Sequence, residues 1–267
     1  MLRSLKEIER YKVSAFDGEI GSVVKFLIDD ERWAVRYLVI QTGGPLFLDG
    51  KQVLISPISF GELDWKTKLF HLSLTTEKVK NSPSIDVEKP VSRQHERQFS
   101  SYYGYPRYWG SPGVWGLVAY PALLATSEKS TSATEVDSST DVHLRSDEEV
   151  RGYHVEGTDG SIGHIEDFIV DDETWEIRYL VVNTRNWWFG KSVLVAPQWV
   201  ERISWAENKV YIELAREVIK AGPEWSATDA VNRQYETRLY DYYGRPAYWQ
   251  TAPADPVHSP AKDLSNQ

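Results

Sequence analysis

DGEIGSVVKFLIDDERWAVRYLVI, residues 17–40, and DGSIGHIEDFIVDDETWEIRYLVV, residues 159–182, decide the fold of this chain. The two stretches match at 13 of 24 positions at an offset of 142, and the tripeptide LRS at Leu2 and again at Leu144 extends the same register backwards. After a two-residue deletion the offset becomes 140. It then aligns KQVLISP (51–57) with KSVLVAP (191–197), Trp65 with Trp205, Pro83 with Pro223, and SSYYGYPRYW (100–109) with YDYYGRPAYW (240–249). One structural unit of a little over 100 residues is written twice.

Within each unit the apolar runs are short, β-rich and separated by turn residues. SVVKFLID and AVRYLVIQ form a hairpin with Asp29-Asp30-Glu31 at its tip, and HIEDFIVD and EIRYLVVN form its copy with Asp171-Asp172-Glu173, because aspartate competes for backbone donors in turns. Further short strands, QVLIS and LFHLS, then SVLVA and VYIEL, follow at hairpin spacing. The fold class expected is mainly β: two tandem small antiparallel barrels, closed because an unpaired apolar edge invites aggregation. TTEKVKNSP and AREVIKAGP read as short helices stopped by proline. Each precedes a longer amphipathic helix with His95, Phe99, Tyr102 and Tyr103, or Tyr235, Leu239, Tyr242 and Tyr243, on one face. Ser226 with Asp229 is the capping box expected for the second of these. Gly104 and Gly244 then end the helices, and Pro106 and Pro246 stop them from resuming.

The expected domains are residues 1–110, a barrel with its C-terminal helix; 111–143, a linker; 144–250, the second barrel with its helix; and 251–267, a flexible tail. The linker begins apolar, Val114 to Ala125, and continues as an acidic Ser/Thr-rich tether. The apolar part is too short to span a bilayer and contains Gly116 and Pro121. It docks on the barrels or inserts into a partner, and both readings stay open.

These motifs together resemble the PRC-barrel family: the strand after Asp-Gly-x-Ile-Gly, the Asp-Asp turn, RYLVI or RYLVV, the VLISP or VLVAP strand, and the short helix ending at Pro83 or Pro223. The resemblance covers residues 2 to about 86 and 144 to about 226. It implies a β-barrel used as an interaction module, as in the cytoplasmic domain of the photosynthetic reaction-centre H subunit and the C-terminal domain of a ribosome maturation factor. The transmembrane helix of the first and the extra N-terminal domain of the second have no match here, so neither function transfers residue by residue.

Composition narrows the chemistry. With no cysteine among 267 residues, disulfides, thiolate metal sites and cysteine nucleophiles are excluded. The formal charge of −9 divides into +2 for residues 1–110 (16 basic, 14 acidic), −5 for 111–150 (2 and 7) and −6 for the rest (12 and 18). No basic face is present for direct nucleic-acid binding or for an anionic membrane. Without an eighteen-residue apolar run or an apolar leader, no membrane insertion is expected and the chain is placed in the cytoplasm. The six histidines show no ligand spacing, and neither a nucleophile elbow nor a phosphate or dinucleotide loop occurs. The three-carboxylate turns suit solvent better than calcium, and in HIED His164 and Glu166 share a strand face, a surface ion pair. No catalytic residue, metal or cofactor is expected, and the chain is read as not an enzyme.

Tryptophan carries the remaining signal. Trp33 with Trp175, Trp65 with Trp205, and Trp109 with Trp249 recur, as do Tyr103 and Tyr243, so these are expected as structural anchors. The loop TRNWWFGK has no aromatic copy in the first unit; Arg185, Trp187, Trp188 and Phe189 are residue types of interface hot spots. That loop either covers a barrel end or faces a partner. The function expected is a non-catalytic protein-interaction or adaptor module. The alternatives are a small-molecule binder using a barrel end or the cleft between units, and a ribosome or RNA-processing accessory factor by family analogy. A protein partner is favoured, the barrels are expected to pack as a pseudo-two-fold pair, and homo-oligomerisation stays open.

Overall fold

The computed structural model describes residues 1–43, 50–83, 91–109, 113–125, 142–184 and 190–251. In the first half the strands are β1 (Leu2–Ser4), β2 (Lys12–Ala15), β3 (Gly18–Asp29), β4 (Ala34–Thr42), β5 (Gln52–Ile55), β6 (Phe60–Asp64), β7 (Leu69–Leu72) and β8 (Val91–Ser92). The second half repeats the first seven as β9 (Val142–Ser146), β10 (His154–Gly157), β11 (Gly160–Asp171), β12 (Ile177–Asn183), β13 (Ser192–Val195), β14 (Val200–Ser204) and β15 (Lys209–Ile212), followed by β16 (Glu224–Trp225). The mainly β expectation holds.

Two details of it are corrected. Neither sheet is wholly antiparallel: β2 pairs β7, and β10 pairs β15, in parallel. Nor does either sheet close by hydrogen bonds among the described residues. The orders β5-β4-β3-β2-β7-β6 and β14-β15-β10-β11-β12-β13-β16 have unpaired ends. The reason lies at the corner from β5 to β6, where the 3-10 turn Pro57–Ser59 redirects the chain. Its proline has no N–H to give, and the Ser56 side chain accepts from Ile58 N–H in place of a ladder partner. Pro197–Trp199 makes the same corner in the second unit.

The hairpin motif shows why its glycine is there. A Cβ on Gly21 would lie 2.0 Å from the Gln41 carbonyl oxygen, and one on Gly163 the same distance from that of Asn183. Only glycine lets the two strands approach so closely. The longer helices, Arg93–Tyr103 and Arg233–Tyr243, end at Gly104 and Gly244 in left-handed conformation, φ +79° and +61°. The second helix is capped by Asn232, whose side chain accepts from Tyr235 N–H, rather than by Ser226 and Asp229, which close a separate turn. The buried helix face is also rotated from the expected stripe. His95 and Tyr242 are exposed, while Glu96, Phe99 and Ser100, with Glu236, Leu239, Tyr240 and Tyr243, are buried.

Each sheet borrows a strand from the other half. β1 pairs the end of β11, Leu2 opposite Asp171, and β9 pairs the end of β3, Leu144 opposite Asp29. Further reciprocal contacts follow at the same offset: Asp30 N–H to His143 C=O (3.0 Å) with Asp172 N–H to Met1 C=O (2.9 Å), and Val35 N–H to Trp175 C=O (2.8 Å) with Ile177 N–H to Trp33 C=O (2.7 Å). The last pair holds Trp33 and Trp175 in the left-handed region, φ +50° and +57°, a conformation costly for a bulky residue. One apolar core runs through both halves, and Trp175 of the second packs on Phe60 (5.1 Å) and Phe70 (6.2 Å) of the first.

Candidate binding surface

The apolar linker segment lies on the body of the protein. Trp115 is 0% exposed, and its indole N–H donates to the Thr174 carbonyl of the second half at 2.6 Å. Beneath it Arg36, also fully buried, donates to both Asp29 Oδ2 (2.9 and 2.8 Å) and the Val114 carbonyl (2.7 Å), with its guanidinium 3.8 Å from the Tyr108 ring and 4.8 Å from that of Trp115. Arg32 holds the Gly113 carbonyl. Burial works to raise the Asp29 carboxyl, but the Arg36 charge and hydrogen bonds outweigh it and hold the group below its ordinary range. The turn tip is therefore not the solvated carboxylate cluster expected, since Asp29 is an interior ion-pair partner. Asp30, only partly exposed, is pushed up to about 6, first by burial and then by Asp29.

The same segment turns other apolar side chains outward. Leu124 is buried, but Leu117 is 87%, Leu123 49% and Tyr120 39% exposed. An exposed leucine is unremarkable singly; three large apolar residues on a short, anchored segment are not.

Beside this segment each helix carries a buried carboxylate. Glu96 accepts from the Tyr108 hydroxyl and lies 2.9 Å from His143 Nε2; Glu236 accepts from the hydroxyls of Tyr179 (2.8 Å) and Tyr248 (3.0 Å). Burial, reinforced by the neighbouring carboxylate, raises the Tyr108 hydroxyl well above its ordinary value. These groups tie each helix to its sheet and to the Tyr-Trp string that follows it. They escaped the sequence reading because a glutamate on an apolar stripe looks like the solvent face; the signal was its recurrence as RQ-x-E at 93–96 and 233–236.

Two cavities flank the junction, both against the second half. One of about 350 Å³ is bordered by Arg32, Trp33, Arg178, Gln198 and Tyr248. Those positions correspond to Thr174, Trp175, Arg36, Ile58 and Tyr108, the neighbourhood that Trp115 occupies on the first half. The other, about 680 Å³, lies between β1 and the segment before the second long helix.

The recurring anchors all pack on the shared core, but unevenly. Trp175 and Tyr243 are buried, whereas Trp33, Trp65, Trp205, Tyr103, Trp109 and Trp249 are half-buried. Trp65 and Trp205 are stacking platforms, with Arg3 at 3.9 Å over the first and Arg145 at 4.3 Å over the second. The fully interior tryptophans also include the unpaired Trp115, Trp199 and Trp225. The interaction candidates Arg185, Trp187, Trp188 and Phe189 lie outside the described residues; the base of their loop is closed by Thr184 N–H to Lys191 C=O at 2.9 Å. Glu166 takes Asn183 and Ser192 as its hydrogen-bond partners and Lys6 as its ion-pair partner, not His164. A bulge between Ile165 and Asp167 shifts the strand there. Among the described residues no cluster of three metal-ligating side chains occurs, and no helix is long and apolar enough to cross a membrane.

Residues 144–219 match the family model described as PRC-barrel domain. The matched span begins within β9 and ends within the helix Arg216–Ala221, so a PRC-barrel domain is present in the second half, a general protein-interaction fold whose family is generally non-catalytic. No curated protein matches the chain.

Proposed function

We propose that the chain is an adaptor, a binding protein in which two PRC-like units fused in one polypeptide present surfaces to a protein partner. The repeated strand order and the aligned motifs support extending the family from the second unit to the first. The observation that carries the reading is the linker segment. Trp115 and Leu124 fasten it from below, so Leu117, Tyr120 and Leu123 are displayed at little further cost in conformational freedom, as an interface anchor requires. The Arg185, Trp187, Trp188 and Phe189 loop is proposed as a second contact, on composition.

Affinity capture from the source cell with the full chain and with Leu117→Asp/Leu123→Asp tests this. Both leucines are exposed, so the variant keeps the wild-type melting temperature and loses a partner that the wild type retains. An unchanged partner list for that variant, and for Trp187→Ala/Trp188→Ala, refutes the adaptor reading of these surfaces.

A further inference from the structure

The internal repeat supplies its own control for the larger cavity. In the first sheet β9 is flanked on both sides, by β3 and by β8, with Val91 opposite Leu144. In the second sheet β1 takes the place of β9, with Leu2 opposite Asp171 as Leu144 is opposite Asp29. The segment matching β8, however, Val231–Asn232, stays out of the ladder. Among the described residues no strand pairs the outer edge of β1. The cavity of about 680 Å³ occupies the gap, with Leu2, Glu173, Trp225, Asp229 and Val231 in its walls.

The edge is chemically prepared for a strand. Met1 C=O accepts from Asp172 N–H, and strand alternation turns the N–H and C=O of Leu2 the opposite way, toward the cavity. The same groups of Leu144 face Val91. Charge selects the occupant. Arg3 is engaged by Asp172 (3.0 Å) and stacked on Trp65, and Arg233 is paired with Glu236 (3.2 Å). Glu173 and Asp229 are exposed and have no ion pair among the described residues. The uncompensated charge at the mouth is negative.

We propose that the outer edge of β1 binds an extended basic segment of a partner protein. The segment adds antiparallel, as β8 does to β9, with an apolar β-branched residue opposite Leu2 and cationic side chains at Glu173 and Asp229. The inference rests on the adaptor reading and can fail separately from it.

The test uses the full chain and three labelled hexapeptides: alternating lysine and valine, alternating glutamate and valine, and the first with its valines N-methylated. The lysine peptide binds at least about tenfold more tightly than either other, a gap of roughly 1.4 kcal/mol or more, and slows amide exchange at Leu2. Glu173→Lys/Asp229→Lys weakens it by about tenfold or more through like-charge repulsion while leaving the melting temperature unchanged. Equal binding by the N-methylated peptide reduces the effect to charge attraction and overturns strand addition. No lysine-peptide binding at about 1 mM, or unaltered exchange at Leu2, overturns the site. If partner capture still depends on Leu117 and Leu123, only the adaptor reading survives.

Discussion

Replacing Arg36 by methionine tests the interior of the protein most directly. The guanidinium is completely buried and serves Asp29, the Val114 carbonyl and the faces of Tyr108 and Trp115 at once. Methionine fills most of the volume but leaves Asp29 as a buried carboxylate without its counter-charge, a change that costs about 3–5 kcal/mol. In a chain of this size that is a fall of roughly 6–20 °C in melting temperature, at about 2–4 °C per kcal/mol. The sign of the pH dependence sharpens it. In the wild type the folded Asp29 carboxyl sits below its ordinary value, so its contribution is present above that value and lost as pH falls through the lower one. In Arg36→Met the burial that raises Asp29 is opposed only by the Arg32 N–H hydrogen bond and by His143, so the group moves up and the variant gains stability relative to the wild type as the pH falls toward 4. The stability gap in urea at pH 7.5 should therefore narrow at pH 4.5, and Arg36→Met/Asp29→Asn should recover part of it. A gap that is constant with pH, or a melting temperature within about 2 °C of wild type, would refute the buried ion pair.

Two further outcomes follow from the same contacts. Trp115→Ala removes a fully buried indole and leaves the Thr174 carbonyl unpaired, so thermal denaturation followed by circular dichroism should show a loss of about 3–5 kcal/mol; a shift under about 2 °C would mean that the linker segment is not packed in solution. Asp147 is buried, and its carboxyl is pushed up to about 6 because burial outweighs an Arg151 that Glu9 and Asp167 also share. Since the folded value lies above the ordinary one, the folded state gains on the unfolded state as pH drops from about 7 to about 4, by at most ~3 kcal/mol for this group. Asp147→Asn should flatten that gain, and wild-type and variant curves that stay parallel across the window would exclude it.

The elements legible in the sequence were those whose geometry is local. The hairpin and the helix stops at Gly104 and Gly244 each rest on residues adjacent in the chain or in one turn. What escaped depends on partners far away. LRS at Leu2 and at Leu144 is too short to announce a strand, and its pairing is decided by a strand end in the other half. The parallel pairs of β2 with β7 and β10 with β15 were hidden for the same reason: alternation shows that a segment is a strand, not which neighbour it takes. Asp29 and Asp30 share one turn, but Arg36 holds Asp29 down against its burial, whereas burial and the Asp29 charge together push Asp30 up. The open edge of β1 was invisible too, since Val91 and Val231 are the same residue in equivalent places and only one of them joins a ladder.

The exchanged strands also set the order in which the protein can be made. Arg3 finds Asp172 across 169 residues, so β1 waits for the synthesis of β11 before it has a place to pair. Contacts of that separation slow folding and leave edges uncovered meanwhile. Two copies of one half could in principle supply each other's missing strand, as in a swapped dimer. Glu9 works against that outcome: it meets Arg151, its own counterpart in the repeat, so two first halves would bring glutamate to glutamate and two second halves arginine to arginine. Like charges at that spot favour the fused pair over either mismatch.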